Sequence, residues 1–187
     1  MPDLDQLLNE IKQAGSASQK LKNWQPEQQG SIDIRIAVDG NWYHEGRVFK
    51  RPALVKLFAS VLRKEESGYY LVTPAEKLSI QVDDAPFVAT MVEQVIDNGQ
   101  QAMIFTTNLD ERVVVDHRHP IRVEIDPLSD QPRPYVLVRD QLQALIGRNA
   151  FYDLLNLAEE SRVDGKQFLT TSSMGTEFVL GCTDNPE

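Results

Sequence analysis

The chain of 187 residues carries 28 acidic and 19 basic side chains, which gives a formal net charge of −9. This balance excludes a sequence-independent binder of nucleic-acid polymers, because such a protein needs a positive field to displace phosphate counterions, and it disfavours binding to acidic lipids. There is one cysteine, no secretory signal and no apolar run of about 20 residues, so we expect a soluble, cytoplasmic, bacterial-type protein without a membrane partner.

The first 40 residues predict a helix, a linker and a strand. Apolar side chains recur on one face of residues 3–14, which indicates an amphipathic helix. Residues 15–30 are rich in Gln, Ser and Lys and are predicted to be mostly irregular, with Trp24 packing onto the domain. Residues 32–38 alternate between apolar and polar or small side chains, which is typical of a half-buried strand.

Two turn dipeptides then enclose a short strand. Asp39-Gly40 predicts a type I′ hairpin turn, in which both central residues need positive φ. Glu45-Gly46 predicts a second turn six residues later, followed by a strand at 47–49. These turns therefore predict a small antiparallel meander.

The meander leads into a predicted helix. Pro52 suits the first turn of a helix, and apolar residues at helical spacing extend the prediction to about residue 66. Gly68 is predicted to end the helix in the left-handed conformation. Strands are expected at 69–73 and 78–82.

Residues 87–96 fit either a helix or a strand. The following Asn98-Gly99 favours the strand, because this dipeptide between two β-branched runs is a strong hairpin signal. The return strand is expected at 102–106, with further strands at 113–115 and 121–125.

Residues 127–134 contain three prolines and indicate an interdomain linker or an exposed loop. Beyond them the pattern predicts strands at 135–138 and 142–146, a helix with Phe151, Leu154, Leu155 and Ala158 on its apolar face that ends at Asp164-Gly165, and strands at 168–169 and 178–180.

The two segments share an order of elements, which indicates an internal duplication. At one constant offset, Arg51, Leu54, Leu57, Phe58, Val61 and Gly68 fall opposite Arg148, Phe151, Leu154, Leu155, Ala158 and Gly165. We therefore expect an α+β fold made of two tandem copies of a curled antiparallel sheet with a packed helix. The predicted domains are an N-terminal helix and linker (1–30), a first copy with extra strands (31–126) and a second copy (135–182).

Seven runs of the chain, taken in order, resemble the bacterial domain-of-unknown-function family 1285. They are DGNWYHEG (39–46), LVKLFASVLR (54–63), YLVTPAEK (70–77), VDDAPF (82–87), FTTN (105–108), HPIRV (119–123) and PYVLVR (134–139). The resemblance implies a duplicated α+β fold whose second copy is loosely similar to pleckstrin-homology-like domains. It also implies a cleft between the copies that holds a nucleotide-like ligand, and a role in signal transduction.

Polar and charged side chains at turns and strand ends form the predicted ligand-binding set. Arg51, Lys77 and Arg122 are expected to meet an anionic group, because guanidinium and ammonium groups bind carboxylate and phosphate. Trp42 would stack on the ligand, and Thr107, Asn108 and Asp110 would orient it. The alternative is that such residues serve only their turns. The complete set is Trp42, His44, Glu45, Arg51, Lys77, Asp84, Thr107, Asn108, Asp110, His119 and Arg122.

The sequence lacks the local signatures of common chemistry. It contains no G-x-G-x-x-G, no G-K-[ST] and no G-x-S-x-G, and its acidic and histidine residues lack known metal-ligand spacing. We therefore predict no catalytic residues and no bound metal, and we leave the cofactor open.

The leading prediction is a non-catalytic ligand-binding module with a sensory or regulatory role and a small anionic or nucleotide-like ligand. One alternative is an enzyme that uses His44 or His119 as general acid/base, oriented by Glu45 or Asp110. Another is an adaptor that presents a sheet edge or an apolar patch to a protein partner.

Overall fold

The computed structural model describes residues 4–14, 21–163 and 166–182. The chain divides into two compact units, Met1–Pro86 and Phe87–Glu187. The sequence placed the division near residues 127–134 instead. Pro127 lies in a hairpin loop of the second unit, where the Asp126 amide donates to the Gln131 carbonyl, whereas Pro132 and Pro134 belong to the strand Pro132–Arg139 that follows the loop. The exposed-loop alternative therefore holds for residues 127–131 only, because the strand begins at Pro132.

The described strands of the first unit form one six-stranded sheet with the order β3-β2-β1-β6-β5-β4. All neighbours are antiparallel except β1 and β6, which are parallel. The elements are α1 (Leu4–Ala14), a 3-10 turn (Leu21–Asn23), β1 (Gln28–Ile36), β2 (Trp42–His44), β3 (Arg47–Val48), α2 (Pro52–Ser60), β4 (Leu62–Glu65), β5 (Gly68–Val72) and β6 (Glu76–Val82).

The buried residues of the first unit recur at the spacing expected for a strand in β1 and for a helix in α2. Ile32, Ile34 and Ile36 of β1 are buried and alternate with exposed polar residues, as predicted for a half-buried strand. The helix α2 buries its apolar face through Val55, Phe58 and Ala59. The N-terminal helix also belongs to this unit, because its Leu7 and Ile11 side chains are buried.

The turn at Asp39-Gly40 differs from its predicted type. Gly40 has a φ of 81° but Asp39 stays at negative φ, and the Gly40 amide donates to the Ala37 carbonyl. This is the three-residue hairpin that ends on a left-handed glycine, so the predicted type I′ turn is wrong. The type I′ geometry occurs at Glu45 and Gly46, whose φ angles are 49° and 73°.

The helix α2 is shorter than predicted, because it ends at Ser60 and its place is taken by β4. Val61 and Leu62 are consecutive and both fully buried. This burial fits the connection between α2 and β4 better than one apolar face of a longer helix. Leu62 pairs with Leu71 of β5, so strand pairing overrides helical periodicity here. Gly68 begins β5 at a φ of 141° and does not end a helix.

The described strands of the second unit form a six-stranded sheet, β10-β11-β12-β7-β8-β9, and a three-stranded sheet, β13-β14-β15. β12 and β7 are parallel, and Asn98 and Gly99, with φ angles of 50° and 81°, form the predicted hairpin turn between β7 and β8. The elements are β7 (Phe87–Asp97), β8 (Gln100–Thr107), β9 (Arg112–Val114), β10 (Ile121–Ile125), β11 (Pro132–Arg139), β12 (Leu142–Ile146), α3 (Arg148–Asn156), β13 (Glu159–Val163), β14 (Lys166–Ser173) and β15 (Thr176–Cys182).

Each unit continues from its helix into three antiparallel strands, which matches the predicted duplication and confirms a tandem α+β fold. The second helix ends at Asn156, before its predicted end at Asp164-Gly165, which lies outside the described residues. The copies differ in how these three strands connect to the rest of their unit. In the first unit β6 pairs with β1, whereas in the second unit the Ser173 hydroxyl links β14 to β8 through the Met103 amide.

Candidate functional site

The eleven predicted ligand-binding residues divide between the two units, and each unit is described by itself. The first unit contains Trp42, His44, Glu45, Arg51, Lys77 and Asp84. The second unit contains Thr107, Asn108, Asp110, His119 and Arg122.

A row of four aromatic rings connects the meander of the first unit to α2. Trp42 stacks on Phe58 with ring centroids 6.4 Å apart, Phe58 lies 5.6 Å from Phe49, and Phe49 lies 6.1 Å from the His44 ring. Trp42 is only 1% exposed. It is therefore a core residue and cannot stack on a ligand as the sequence predicted, because its faces are already covered by the protein.

The row ends at an exposed stretch with several positive charges. Arg47, Lys50 and Arg51, which we call the cationic segment, are all exposed, and none of their side chains forms an ion pair within the described residues. Residues 46–64 include six Lys or Arg side chains and no Asp or Glu. Of the cations in the predicted set, Arg51 lies here. The sequence reasoning missed Arg47 and Lys50, although the run without acidic residues is a signal that could have found them.

The cationic segment leads directly into α2. Arg51 caps the helix through its backbone carbonyl, which accepts the amides of Leu54 and Val55 at 3.0 and 3.3 Å. Pro52 has no amide N–H to offer, and the first turn contains no acidic residue. An anion at this position would therefore be bound by the basic side chains rather than by helix amides.

His44 and Glu45 do not form the proton-transfer pair that the enzyme alternative needs. The His44 ring lies against Phe49, while Glu45 is exposed at the turn and its amide donates to the Asp33 carbonyl at 3.2 Å. Within the described residues no hydrogen bond joins the two side chains. His44 is the last residue of β2, whereas Glu45 lies in the turn with a φ of 49°.

Lys77 and Asp84 are the remaining predicted site residues of the first unit, and neither belongs to the cationic segment. The Lys77 ammonium is 3.0 Å from a Glu65 oxygen and lies over the Tyr70 ring at 4.6 Å from its centroid. Asp84 is half-buried, next to Asp83. The hydrogen bond from Arg35 holds the pKa of Asp83 below its ordinary value. Lys77 is thus already paired with a carboxylate.

Thr107, Asn108 and Asp110 close a turn of the second unit. Thr107 is 1% exposed, and its hydroxyl accepts the amides of Leu109 and Glu111 at 3.3 and 3.1 Å. Asn108 forms two hydrogen bonds with Val88 of β7. Its side-chain oxygen accepts the Val88 backbone amide, and its backbone amide donates to the Val88 carbonyl. Asp110 takes the left-handed conformation with a φ of 63°. These contacts match the alternative in which the residues serve their turn.

His119 is oriented by Asp116 and not by the predicted Asp110. Its Nδ1 atom lies 3.0 Å from Asp116 Oδ1, which also accepts the amides of Arg118 and His119 at 2.8 Å. Partial burial alone would raise the pKa of Asp116, but these hydrogen bonds outweigh it and the pKa lies below its ordinary value. The pair is therefore part of a local turn. Arg122 is exposed and contacts Gln143 at 3.3 Å.

Metal ligands do not cluster in the part of the chain that the structure describes: no group of three or more His, Cys, Asp and Glu side chains lies close enough to hold an ion there. Glu111, one of the acidic residues near the Thr107 turn, is instead paired with Arg139.

The second unit carries an apolar groove of about 490 Å³ that sequence reasoning missed. Ile125 and Val179 on its walls are 59% and 53% exposed. This is a surface of the kind that the adaptor alternative requires, and that alternative stays a prediction. The lining residues are Val123, Ile125, Pro132, Phe151, Leu155, Phe168, Leu169, Val179, Leu180, Gly181 and Cys182.

Comparisons with known proteins place the chain in a family. The model described as "Domain of unknown function (DUF1285), N-terminal domain" matches residues 20–85, and the model described as "Protein of unknown function (DUF1285), C-terminal domain" matches residues 86–180. The junction of the two models agrees with the division of the structure at Pro86. A search of curated proteins found no match. None of the described helices is long and apolar enough to cross a membrane.

Two solved structures are similar to the chain. A DUF1285 family protein from Silicibacter pomeroyi DSS-3 is 42% identical over 95% of both chains, with a TM-score of 0.83. A DUF1285 family protein from Shewanella baltica OS155 is 24% identical, with a TM-score of 0.52 over 66% of this chain and 90% of that one, and so supports the fold alone. The matches to both domain models and to the first of these structures show that the chain belongs to the DUF1285 family.

Proposed function

We propose that this protein is a non-catalytic module that binds a small anionic ligand through the cationic segment Arg47, Lys50 and Arg51. One observation carries the proposal: three exposed cations without a counter-ion among the described residues lie within five positions of a chain whose net charge is −9.

Other arginines of the described chain show why this arrangement is distinctive. Arg112 is paired with Glu93, Arg133 with Asp126, and Arg35 with Asp83, although all three are at least one-third exposed. Single cations such as Arg122 and Arg148 also have no ion pair within the described residues, and what distinguishes the cationic segment is that three such side chains lie within five positions. The cationic segment keeps its charge un-neutralised, which is what an anion-binding surface requires.

The scaffold under the segment is rigid, which favours binding. Phe49 lies between Lys50 and Val48 in sequence, and its ring packs on Phe58 of α2 and on His44. The backbone of Arg51 is fixed by two amides of α2. A site whose backbone is held by packing and hydrogen bonds loses less conformational entropy on binding than one on a free loop.

The chemistry of the side chains defines the ligand class. A guanidinium group presents a planar fork of donors that matches carboxylate and phosphate oxygens, and a neighbouring ammonium adds a point charge. The overall negative charge opposes a long anionic polymer. We therefore expect a small phosphorylated or carboxylated molecule, and a nucleotide-like compound fits this class. A binding module of this kind suits a sensory role in the cytoplasm, where the exposed thiol of Cys182 would stay reduced.

The test measures thermal stability with inorganic phosphate, pyrophosphate and ADP at millimolar concentration, against chloride at equal ionic strength. A ligand at 100 times its dissociation constant adds about 2.7 kcal/mol to the free energy of unfolding. We expect at least one of these anions to raise the melting temperature, and the triple variant Arg47→Ala, Lys50→Ala, Arg51→Ala to lose the effect.

The matched control is Arg148→Ala, because Arg148 is also exposed and stands at the start of the helix of the second copy. This variant should keep the shift. The proposal is wrong if no anion stabilises the protein, or if the triple variant responds like the parent chain.

A further inference from the structure

We propose that a polar groove on the first unit binds a small zwitterion of the amino-acid or dipeptide class. The groove has a volume of about 400 Å³ and is separate in sequence from the cationic segment. It is lined by Gln25, Pro26, Glu27, Gln29, Arg63, Glu65 and Lys77. The proposal does not depend on the anion site described above.

Strand register places the lining residues on one face of the sheet. Gln29 of β1 pairs with Lys77 of β6, and Arg63 of β4 pairs with Tyr70 of β5. Directly paired residues point to the same face. The opposite face carries Leu62, Leu71 and Leu78, which are buried in the core. The groove therefore lies on the polar side of the sheet.

The segment before β1 covers one end of this polar face. Arg63 holds the segment in place, because its Nη1 atom donates to the Trp24 carbonyl at 2.8 Å and to the Leu21 carbonyl at 3.4 Å. The chain then continues through Gln25, Pro26 and Glu27 along the rim. The result is a recess with walls from β4, β6 and the entering chain.

Glu65 organises the charges on the floor of the recess. One of its oxygens lies 2.7 Å from Arg63 Nη2 and the other 3.0 Å from Lys77 Nζ. The hydrogen bond from Lys77, followed by that from Arg63, holds the pKa of Glu65 below its ordinary value despite partial burial. The carboxylate therefore stays charged and keeps both cations at fixed positions.

Both cations retain donors that the described protein groups do not use. Arg63 Nε is buried and has no hydrogen-bond partner among the described residues. The Lys77 ammonium has three N–H groups, and its contacts are Glu65 and the face of Tyr70. The Arg63 donor is closed off from the groove, so a ligand oxygen would accept its hydrogen bond from the Lys77 ammonium.

The balance of charge selects the class of ligand. The lining contains two cations, Arg63 and Lys77, and two carboxylates, Glu65 and Glu27, so its formal charge is zero. A simple anion would be repelled by the carboxylates, and a simple cation by Arg63 and Lys77. A zwitterion can direct its carboxylate toward the cations and its ammonium toward the exposed Glu27, and the amides of Gln25 and Gln29 can bind further polar atoms.

Calorimetric titration of the full chain tests the proposal with glycine, L-glutamine and glycylglycine as probes, and with acetate and methylammonium as singly charged controls. At least one zwitterion should bind with a dissociation constant in the millimolar range or tighter, and neither control should bind. Binding of acetate as tightly as the zwitterions, or the absence of heat with all three zwitterions, would overturn the proposal.

Variants then locate the site. Lys77→Met should weaken binding about tenfold or more, because a partly buried charged donor is lost. Glu27→Gln removes only an exposed rim charge and should weaken binding about threefold. If Lys77→Met does not fold, Glu27→Gln keeps the test valid. Arg51→Ala in the cationic segment should leave zwitterion binding unchanged, and an unchanged affinity in both groove variants would refute the location.

Discussion

Thr107 offers the sharpest test of how the structure separates structural residues from binding residues. The sequence predicted that Thr107 orients a ligand, whereas in the structure its buried hydroxyl accepts two amides of the turn after β8. Thr107→Val keeps the shape of the side chain and removes the acceptor. Each hydrogen bond contributes about 1 kcal/mol, so we expect the free energy of unfolding to fall by about 1–3 kcal/mol. A loss of 2 kcal/mol would lower the melting temperature by roughly 4–8 °C in a chain of this size.

Two spectroscopic probes make the measurement specific. Both tryptophans, Trp24 and Trp42, lie in the first unit, so their fluorescence reports on that unit, while far-ultraviolet circular dichroism reports on the whole chain. Urea unfolding of Thr107→Val should show the loss by circular dichroism. Thr107→Ser is the matched control, because it retains the hydroxyl and should recover most of the loss.

The same variants distinguish the two roles of Thr107. Phosphate or ADP binding by Thr107→Val should equal that of the parent chain when both are folded. The reasoning fails if stability changes by less than about 0.5 kcal/mol, which is within the usual range for a surface substitution, and anion binding is lost instead.

Three further predictions concern the core and two carboxyl groups. Phe58→Ala should cost about 3–5 kcal/mol, because it removes a fully buried ring from the aromatic row, and the emission of Trp42 should shift to longer wavelength; an unchanged emission maximum would contradict the stacking. Burial, followed by the charge of Glu10, raises the pKa of Glu76 above 4.5, so the stability from the protonated group is complete below pH 4.5 and is lost as the pH rises through the folded pKa. Glu76→Gln should flatten this decline in a series of melting temperatures, and Glu177→Gln, at an exposed site, should not. Asp116 has a lowered pKa, so its contribution is present above its unfolded pKa of about 3.9 and disappears as the pH falls through the folded pKa. Asp116→Asn should therefore destabilise the protein at pH 7 and have little effect near pH 2, and an equal loss at both values would exclude this linkage.

Elements with strong local signals were predicted well from the sequence. Strict alternation identified β1, and Asn98-Gly99 identified the hairpin of β7 and β8. Both signals depend on neighbouring residues in the chain. The duplication was also recognisable, because the apolar face of the helix repeats at one offset.

The errors arose where long-range pairing decides the structure. The strand β4 has residues that continue a helical pattern, and only its pairing with β5 makes it a strand. The burial of Trp42 likewise depends on Phe58, which lies 16 positions away in α2. The polar groove depends on the register between β1 and β6, and no local pattern of a single sequence reveals which lysine faces which glutamate.

The two copies explain why the cationic segment is confined to the first unit. At the offset that aligns Arg51 with Arg148, Arg47 and Lys50 correspond to Ala144 and Gly147. Ala144 is fully buried in the second unit, so a charged side chain has no access to solvent there.

Gly147 is restricted by the backbone of the neighbouring strand. Its amide donates to the Ala89 carbonyl, and a Cβ atom added to Gly147 would lie 3.2 Å from that oxygen. A side chain at this position would require the Ala89 carbonyl of β7 to shift by a few tenths of an ångström, whereas Lys50 is exposed in the first copy. The segment before the helix therefore differs between the copies. In the second copy it is hydrogen-bonded to the sheet, and in the first copy it is exposed and carries three un-neutralised cations. This asymmetry is the reason to expect anion binding from Arg51 and not from Arg148, although both arginines stand at the beginning of equivalent helices.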